Sequence, residues 1–219
     1  MRSCGRIRGP EILFADRADA GRQLAIRLAY LTGQDAVVLG LPRGGVPVAF
    51  QVAQALPAPL DVVVVRKLGA PGNPEYALGA IGEDGVRVVD AEAVRAFGVS
   101  ELELQAIELR ERQELVRRAQ QFRGDRIAVA VTDRTTIVVD DGVATGSTAR
   151  AACTIVRARG AAKVIIAVPV APRDWIASIG NVADEFVCLE TPAHFFSVGQ
   201  WYANFAQTTD EEVVRCLAS

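Results

Sequence analysis

Five short aliphatic runs place the strongest limit on how this chain can fold. They are rich in β-branched residues and leucine and lack strict alternation, as strands covered on both faces do. The runs span residues 36–41, 61–65, 136–139, 164–168 and 185–189. Glycine-containing loops and helical patterns follow them, which is the rhythm of parallel βα units. We therefore predict an α/β fold with a doubly wound, mostly parallel sheet of about five strands and flanking helices.

Helical patterns fill segments between these runs. Asp16 is a good cap for the first helix, Gly160 is a typical residue after the end of the third, and Pro172 precedes the fourth. The predicted helices span residues 17–31, 46–56, 148–159 and 173–179.

One segment breaks the rhythm. Asp84-Gly85 lies between two apolar runs, which is typical of a β-hairpin, and a charged stretch follows from 100 to 123. A partial apolar stripe in that stretch indicates an amphipathic helix, which we interpret as solvated on its other face, with a dimer contact as the alternative. The stripe comprises Leu104, Ile107, Leu109, Leu115 and Val116. We predict one domain over residues 1–219, with a β-hairpin and long-helix insertion at about 79–126.

Composition limits the classes of partner. Half of the 219 residues are hydrophobic, which is enough for a sizeable core, and the net charge is −2 with acids and bases mixed throughout. Such a balance argues against nucleic acid and against a membrane surface. No apolar run is long enough to cross a bilayer, no signal-type segment follows Met1, and the first dozen residues read as a loose lead-in.

The cysteines point to a reduced compartment. They are widely scattered, form no C-x-x-C pair and have only His194 to help them bind metal, which argues against structural zinc. The four are Cys4, Cys153, Cys188 and Cys216. We expect a soluble, cytoplasmic protein.

The stretch "TIVVDDGVATGST", residues 136–148, carries the first candidate site. Small residues after the strand leave backbone N–H groups uncovered, hydroxyl residues add donors, and the next helix directs its positive end at the same place. This pattern favours a phosphate. The loop residues are Gly142, Val143, Ala144, Thr145, Gly146, Ser147 and Thr148.

Asp140 and Asp141 at the mouth of that loop need a different ligand. Two carboxylates would repel a polyphosphate, but they accept hydrogen bonds from vicinal hydroxyls and could carry Mg²⁺ directly or through water. A ribose 5-phosphate satisfies both halves of the motif. The alternative is a helix cap beside a surface acid.

Two further loops follow predicted strands. Arg43-Gly44-Gly45 combines a charged fork with glycines that let the backbone approach a ligand, which suits diphosphate oxygens. Arg66 and Lys67 follow the second run at the carboxyl edge of the sheet, where doubly wound folds bind ligands. The glycine- and proline-rich segment 69–75 that follows is interpreted as a mobile lid, with a rigid turn as the alternative.

These three motifs together, "VDDGVATGST", "LPRGGVPVA" and "VRKLGAPGNPE", resemble type I phosphoribosyltransferases, including a bacterial group of phosphoribosyltransferase-domain proteins. The resemblance covers about residues 36–189. It implies a phosphoribosyltransferase that uses 5-phosphoribosyl 1-diphosphate and Mg²⁺ in nucleotide metabolism, acts as a homodimer, and has a non-proline cis peptide near Arg43. Catalytic roles are implied for Arg43, Lys67, Asp140 and Asp141, with both aspartates also candidate metal ligands.

The resemblance further implies a C-terminal hood at about 190–208, in which Phe196 matches the residue that stacks on a base. Purine-type members tend to carry a lysine where this chain has Val168-Pro169-Val170, and an acid where it has Ala203 or Asn204. The acceptor therefore stays open among a purine, a pyrimidine and a non-base amine. Two alternative functions also stay open: a non-catalytic regulator that binds the diphosphate sugar, and a hydrolase of a phosphoribosyl compound.

Overall fold

The computed structural model describes residues 12–218, apart from the side chain of Glu75. Cys4 and nearly all of the expected lead-in lie outside this range. Eight strands are present among the described residues: β1 Ala36–Gly40, β2 Leu60–Val62, β3 Val65–Ala70, β4 Asn73–Gly82, β5 Arg87–Val89, β6 Thr135–Val139, β7 Lys163–Val170 and β8 Glu185–Glu190.

Helices connect most of these strands. They are α1 Arg17–Arg27, α2 Gly45–Ala55, α3 Ala91–Ala96, α4 Glu101–Arg123, α5 Ser147–Ala158, α6 Trp175–Ile179 and α7 Asp210–Ala218. The predicted cap at Asp16 is present, since its carboxylate accepts from the N–H of Asp19. The first helix ends earlier than predicted, at Arg27, and a 3₁₀ turn at Ala29–Leu31 follows it.

The main sheet confirms the predicted fold class. Its five strands are parallel in the order β2-β1-β6-β7-β8. Alternate residues of each central strand pack on opposite faces: Val37 and Val138 join a core with α5 and α6, while Val38 and Ile137 join a core with α1 and α2. Both faces are therefore covered, which explains the unbroken aliphatic runs.

The second predicted strand differs from the structure. The chain leaves the main sheet after Val62, and Val65 starts a separate antiparallel sheet by pairing with Gly82. The segment expected as a loop, 69–75, is the tip of the β3–β4 hairpin, and β5 completes a three-stranded sheet after the predicted Asp84-Gly85 turn. An aliphatic run cannot show where one strand ends and the next begins, because both halves are buried.

Helix α4 packs against this hairpin and α7. Leu104, Ile107 and Leu115 of the predicted stripe are buried there, together with Phe122. The assignment of Leu109 and Val116 to the same stripe is wrong, because they lie on the solvent-facing side of the helix. The insertion limits 79–126 stay a prediction, as do the hood limits 190–208.

Candidate functional site

The loop after β6 forms a small cavity at the carboxyl edge of the main sheet. Its volume is about 190 Å³, and it is lined by Asp140, residues 142–149 and Val198. Gly146 has φ of 76° and precedes α5, which has no side-chain cap bond. The first N–H groups of α5 are therefore available to an anion. Val143 contributes only to the wall, since its side chain is buried and its N–H bonds to the carbonyl of Val170.

Hydroxyl groups and one lysine surround this cradle. Thr145 Oγ1 and Ser147 Oγ lie 3.4 Å apart, and Lys67 Nζ lies 3.4 Å from Ser147 Oγ. The hairpin thus brings one of the two lysines of the chain to the phosphate loop, although 80 residues separate Lys67 from Ser147. A cation and hydroxyl donors at a helix N-terminus have the chemistry that suits a phosphate monoester.

The two aspartates lie side by side at the mouth of the cradle. Asp140 Oδ1 accepts from the Asp141 N–H at 2.9 Å, and Asp141 Oδ2 accepts from Arg17 Nε at 2.8 Å. Burial and the charge of Asp141 raise the pKa of Asp140. Burial also raises the pKa of Asp141, and Arg17 opposes that rise. Ligand hydroxyls or a cation would relieve this crowding of acids.

The glycine pair of the second motif touches the acid pair. A Cβ on Gly44 would lie 2.0 Å from Asp141 Oδ2, and one on Gly45 would lie 2.5 Å from the carbonyl oxygen of Val139. Strands β1 and β6 are neighbours, so their end loops meet. The peptide bond between Pro42 and Arg43 is cis, as the resemblance implies. Only glycine leaves room for the two loops to approach this closely.

The three cationic side chains that the sequence predicted at the site lie at different places relative to the cradle. Arg43 Nη1 lies 3.7 Å from Asp210 Oδ1 of α7, and its side chain is 38% exposed. Arg66 donates to Glu111 Oε2 of α4 from Nε at 2.9 Å and from Nη2 at 2.6 Å. A cavity of about 620 Å³ is lined by residues of the hairpin and of α4 and reaches Thr148 of the cradle. Arg43 and Arg66 therefore flank the site, whereas Lys67 reaches the cradle.

Most hood aromatics pack against the protein itself. Trp201 and Tyr202 are buried with Phe14, and Phe205 lies against Tyr202 with ring centroids 5.0 Å apart. The Tyr202 hydroxyl donates to the carbonyl of Asp141 at 2.6 Å, which fastens the hood to the acid pair. Phe196 is 88% exposed, so it is free to meet a ligand, and its stacking role stays a prediction.

Sequence reasoning missed Arg17. This residue begins α1, lies 124 positions from Asp141, and belongs to no motif that the sequence displays. In the sequence it is only the residue that follows a helix cap. No local pattern could have revealed its role, because tertiary packing alone brings α1 to the end of β6.

The acid pair fits a magnesium ion shared with a ligand. No group of three or more His, Cys, Asp or Glu side chains within residues 12–218 is arranged to hold a metal by itself. Two adjacent carboxylates nevertheless supply the hard oxygen donors that Mg²⁺ takes alongside phosphate oxygens and water. Asp140 and Asp141 would be those donors. Within the same range, no helix has the length and apolar character needed to cross a membrane.

Comparison with known proteins gives consistent matches. A family model described as "Phosphoribosyl transferase domain" matches residues 15–199. Two Mycobacterium tuberculosis proteins, from strains CDC 1551 / Oshkosh and ATCC 25618 / H37Rv, are provisionally named phosphoribosyl transferases. Each is 58% identical over 205 residues, which cover 94% of this chain and 46% of the relative. The chain thus spans about half the length of these curated relatives.

A solved structure extends the likeness to the fold. The crystal structure of the protein TT1426 from Thermus thermophilus has a TM-score of 0.87 and 45% sequence identity, with 94% of this chain and 98% of that chain covered. Cradle, acid pair and glycine pair lie inside the region that the family model matches. The chain therefore belongs to the phosphoribosyl transferase domain family.

Proposed function

We propose that this chain transfers the 5-phosphoribosyl group of 5-phosphoribosyl 1-diphosphate to a small-molecule nucleophile and releases diphosphate. The observation that carries the proposal is the contact between a phosphate cradle, an acid pair and a glycine pair at one edge of the sheet. In the reaction, the bond from the anomeric carbon to diphosphate breaks and its electrons leave with the diphosphate. The nucleophile supplies the electrons of the new bond and loses its proton.

The cradle and acid pair hold the sugar in this proposal. Residues 145–148 take the 5-phosphate through N–H groups and hydroxyls, next to Lys67. Asp140 and Asp141 accept from the ribose hydroxyls and, through their charge, favour the cationic sugar of the transition state. The protein mainly positions and neutralises, because the leaving group is already activated.

The glycine pair and the hairpin receive the leaving group. Gly44 and Gly45 give backbone access, and Lys67 supplies a cation, with Arg43 and Arg66 at the flanks. Mg²⁺, where bound by the acid pair and ligand oxygens, would supply positive charge to the departing diphosphate. The hairpin tip at 69–75 is the proposed lid over the reacting centre.

Hydrolysis, with water as the acceptor, is a second candidate that one observation favours. The buried hood aromatics pack on one another and on Phe14, so they line no base pocket, and Phe196 remains as the candidate stacking residue. A purine, a pyrimidine and a non-base amine also remain candidate acceptors. A non-catalytic sensor would keep binding of the diphosphate sugar and lack turnover with every acceptor.

We also propose a homodimer that acts in the cytoplasm. Family membership supports the homodimer. The cytoplasmic location is supported by the three free cysteines among the described residues, Cys153, Cys188 and Cys216.

Calorimetry tests the proposed ligand. The wild type is titrated with phosphoribosyl diphosphate and Mg²⁺, beside the double variant Asp140→Asn/Asp141→Asn and the surface control Asp174→Asn. We expect micromolar binding, about 8 kcal/mol, in the wild type and control, and none in the folded double variant. A folded wild type that does not bind would refute the proposal. Where an acceptor releases diphosphate, Asp141→Asn should lose most of the activity and stay folded.

A further inference from the structure

Arg17 makes three contacts that join separate parts of the molecule. Its Nε donates to Asp141 Oδ2 at 2.8 Å, and its Nη1 donates to the carbonyl of Ala206 at 2.7 Å. Its guanidinium carbon lies 4.0 Å from the centroid of the Phe205 ring. The side chain is only 12% exposed. One residue of α1 thus contacts the acid pair and the hood together.

The same guanidinium lies against Gly44. A Cβ on Gly44 would come within 3.1 Å of Arg17 Nε and 2.0 Å of Asp141 Oδ2. Arg17 therefore fixes one oxygen of Asp141 beside the loop that is proposed to receive diphosphate.

We propose that Arg17 is a positioning residue that orients Asp141 toward the ribose hydroxyls and fastens the hood to the ribose site. The first half rests on the proposed function, since it requires a ribose ligand. The second half concerns the free protein alone. Ribose recognition and hood closure then depend on the same side chain.

Arginine suits this task better than lysine. Its planar fork donates in two directions from Nε and Nη1 while its face stacks on an aromatic ring. A lysine could keep the charge beside Asp141, but a single ammonium on a flexible stem could not also hold the carbonyl of Ala206. Comparing Arg17→Lys with the wild type therefore separates the effect of the positive charge from the effect of the hydrogen-bond geometry.

Comparing the binding of two sugar phosphates tests whether Arg17 orients Asp141 toward the ribose hydroxyls. Affinities for ribose 5-phosphate and 2,3-dideoxyribose 5-phosphate are measured in wild type, Arg17→Met, Arg17→Lys and the control Arg22→Met, whose exposed side chain pairs with Asp19 on the same helix. We expect the wild type and control to prefer the ribose compound about tenfold, Arg17→Met to lose most of that preference, and Arg17→Lys to keep part of it. The dideoxy compound should bind all four equally.

If Arg17→Met caused only a general structural defect, its affinity for both sugar phosphates would fall together, and this result would overturn the positioning role. A preference that persists unchanged in Arg17→Met would overturn it as well. Failure of the wild type to bind either sugar would instead refute the proposed function, and the ribose half of the inference with it.

Hydrogen exchange tests the second half without a ligand. The N–H groups of Ala203 and Asn204 bond to the carbonyls of Phe14 and Ala15, so they report hood closure. We expect them to exchange about tenfold faster in Arg17→Met and Arg17→Lys than in the wild type and Arg22→Met. Equal rates would overturn the hood role, and full protection in Arg17→Lys would show that charge alone suffices and overturn the geometric argument.

Discussion

Asp140 and Asp141 place two acids together in a partly buried site, and the free protein loses stability as a result. Burial disfavours both charges, and the charge of Asp141 further disfavours the ionisation of Asp140. A group with a raised pKa in the folded state stabilises the protein below its unfolded pKa, and this stabilisation is lost as pH rises through the folded pKa.

Asp140→Asn should therefore stabilise the ligand-free protein. Asparagine keeps the acceptor for the Asp141 N–H and removes the charge. We expect a gain of about 1–2 kcal/mol at pH 7 to 8, or about 2–8 °C in Tm. The gain should vanish below about pH 4, where both carboxyls are protonated. Calorimetry across pH in the presence of a chelator measures it.

The control for this prediction is the exposed Asp174→Asn, which should change Tm little at any pH. A gain from Asp140→Asn that persists undiminished in acid would contradict the electrostatic explanation.

Gly146 allows a second prediction about single residues. Both Gly146 and Gly33 have left-handed φ, 76° and 80°, but only a Cβ on Gly146 would meet another side chain, Ser178 Oγ at 2.4 Å. Alanine should cost about 1–2 kcal/mol of unfolding free energy at Gly33 from backbone strain alone. At Gly146 we expect about 1–3 kcal/mol more, because either Ser178 Oγ must give up its hydrogen bond to the carbonyl of Trp175 or α6 must shift.

Urea unfolding of the two alanine variants measures the difference. Equal costs would show that Ser178 rotates away freely and that the cradle loop tolerates added bulk.

At the scale of elements, a buried ion cluster fixes the hairpin sheet and α4 to the main sheet. Arg123 at the end of α4 donates to Asp61 Oδ1 from Nε at 3.0 Å and to Glu83 Oε2 from Nη2 at 3.1 Å. Burial opposes the charge of Arg123, yet bonds to Glu83 and attraction to Asp61 raise its pKa. Asp61 lies in β2, Glu83 lies in the turn between β4 and β5, and Arg123 is the last residue of α4.

Arg123→Met should destabilise the protein strongly. It leaves the buried carboxylate of Asp61 and the largely buried carboxylate of Glu83 without their cation, which typically costs about 3–5 kcal/mol. Arg117→Met is the matched control on the same helix, where the exposed Arg117 pairs with Glu114, and this variant should change the unfolding free energy little. Denaturant unfolding compares the two. Similar small losses in both variants would contradict a structural role for the cluster.

At the scale of the whole molecule, α4 leaves apolar residues uncovered at regular spacing. Leu102, Leu109 and Val116 recur every seven residues and are all exposed. This spacing places them on one side of the helix, which is where the proposed dimer could bury them.

Leu109→Arg should therefore weaken a homodimer. Light scattering at micromolar concentration should give twice the chain mass for the wild type and a mass nearer one chain for the variant. Ile26→Arg, at another exposed apolar position, on α1, is the control and should stay dimeric. A wild type with the mass of one chain would contradict the dimer itself.

The sequence alone determined the sheet, the cradle and the acid pair. Unbroken aliphatic runs specify doubly covered parallel strands, and the cradle is a local motif in which the chemistry lies within thirteen consecutive residues, 136–148. The exposure of Leu109 and the end of β2 at Val62 escaped prediction, because burial depends on which surfaces other elements cover.

Tertiary structure alone decided which charged side chains pair with one another around the site. Arg43 and Arg66, expected at the ligand, pair with Asp210 and Glu111, while Arg17, which no motif marks, bonds to Asp141. A charge acts over a few ångströms, and no local pattern in the sequence shows which residues far apart along the chain come that close. Local backbone chemistry was therefore readable from the sequence, whereas the pairing of distant side chains required the fold.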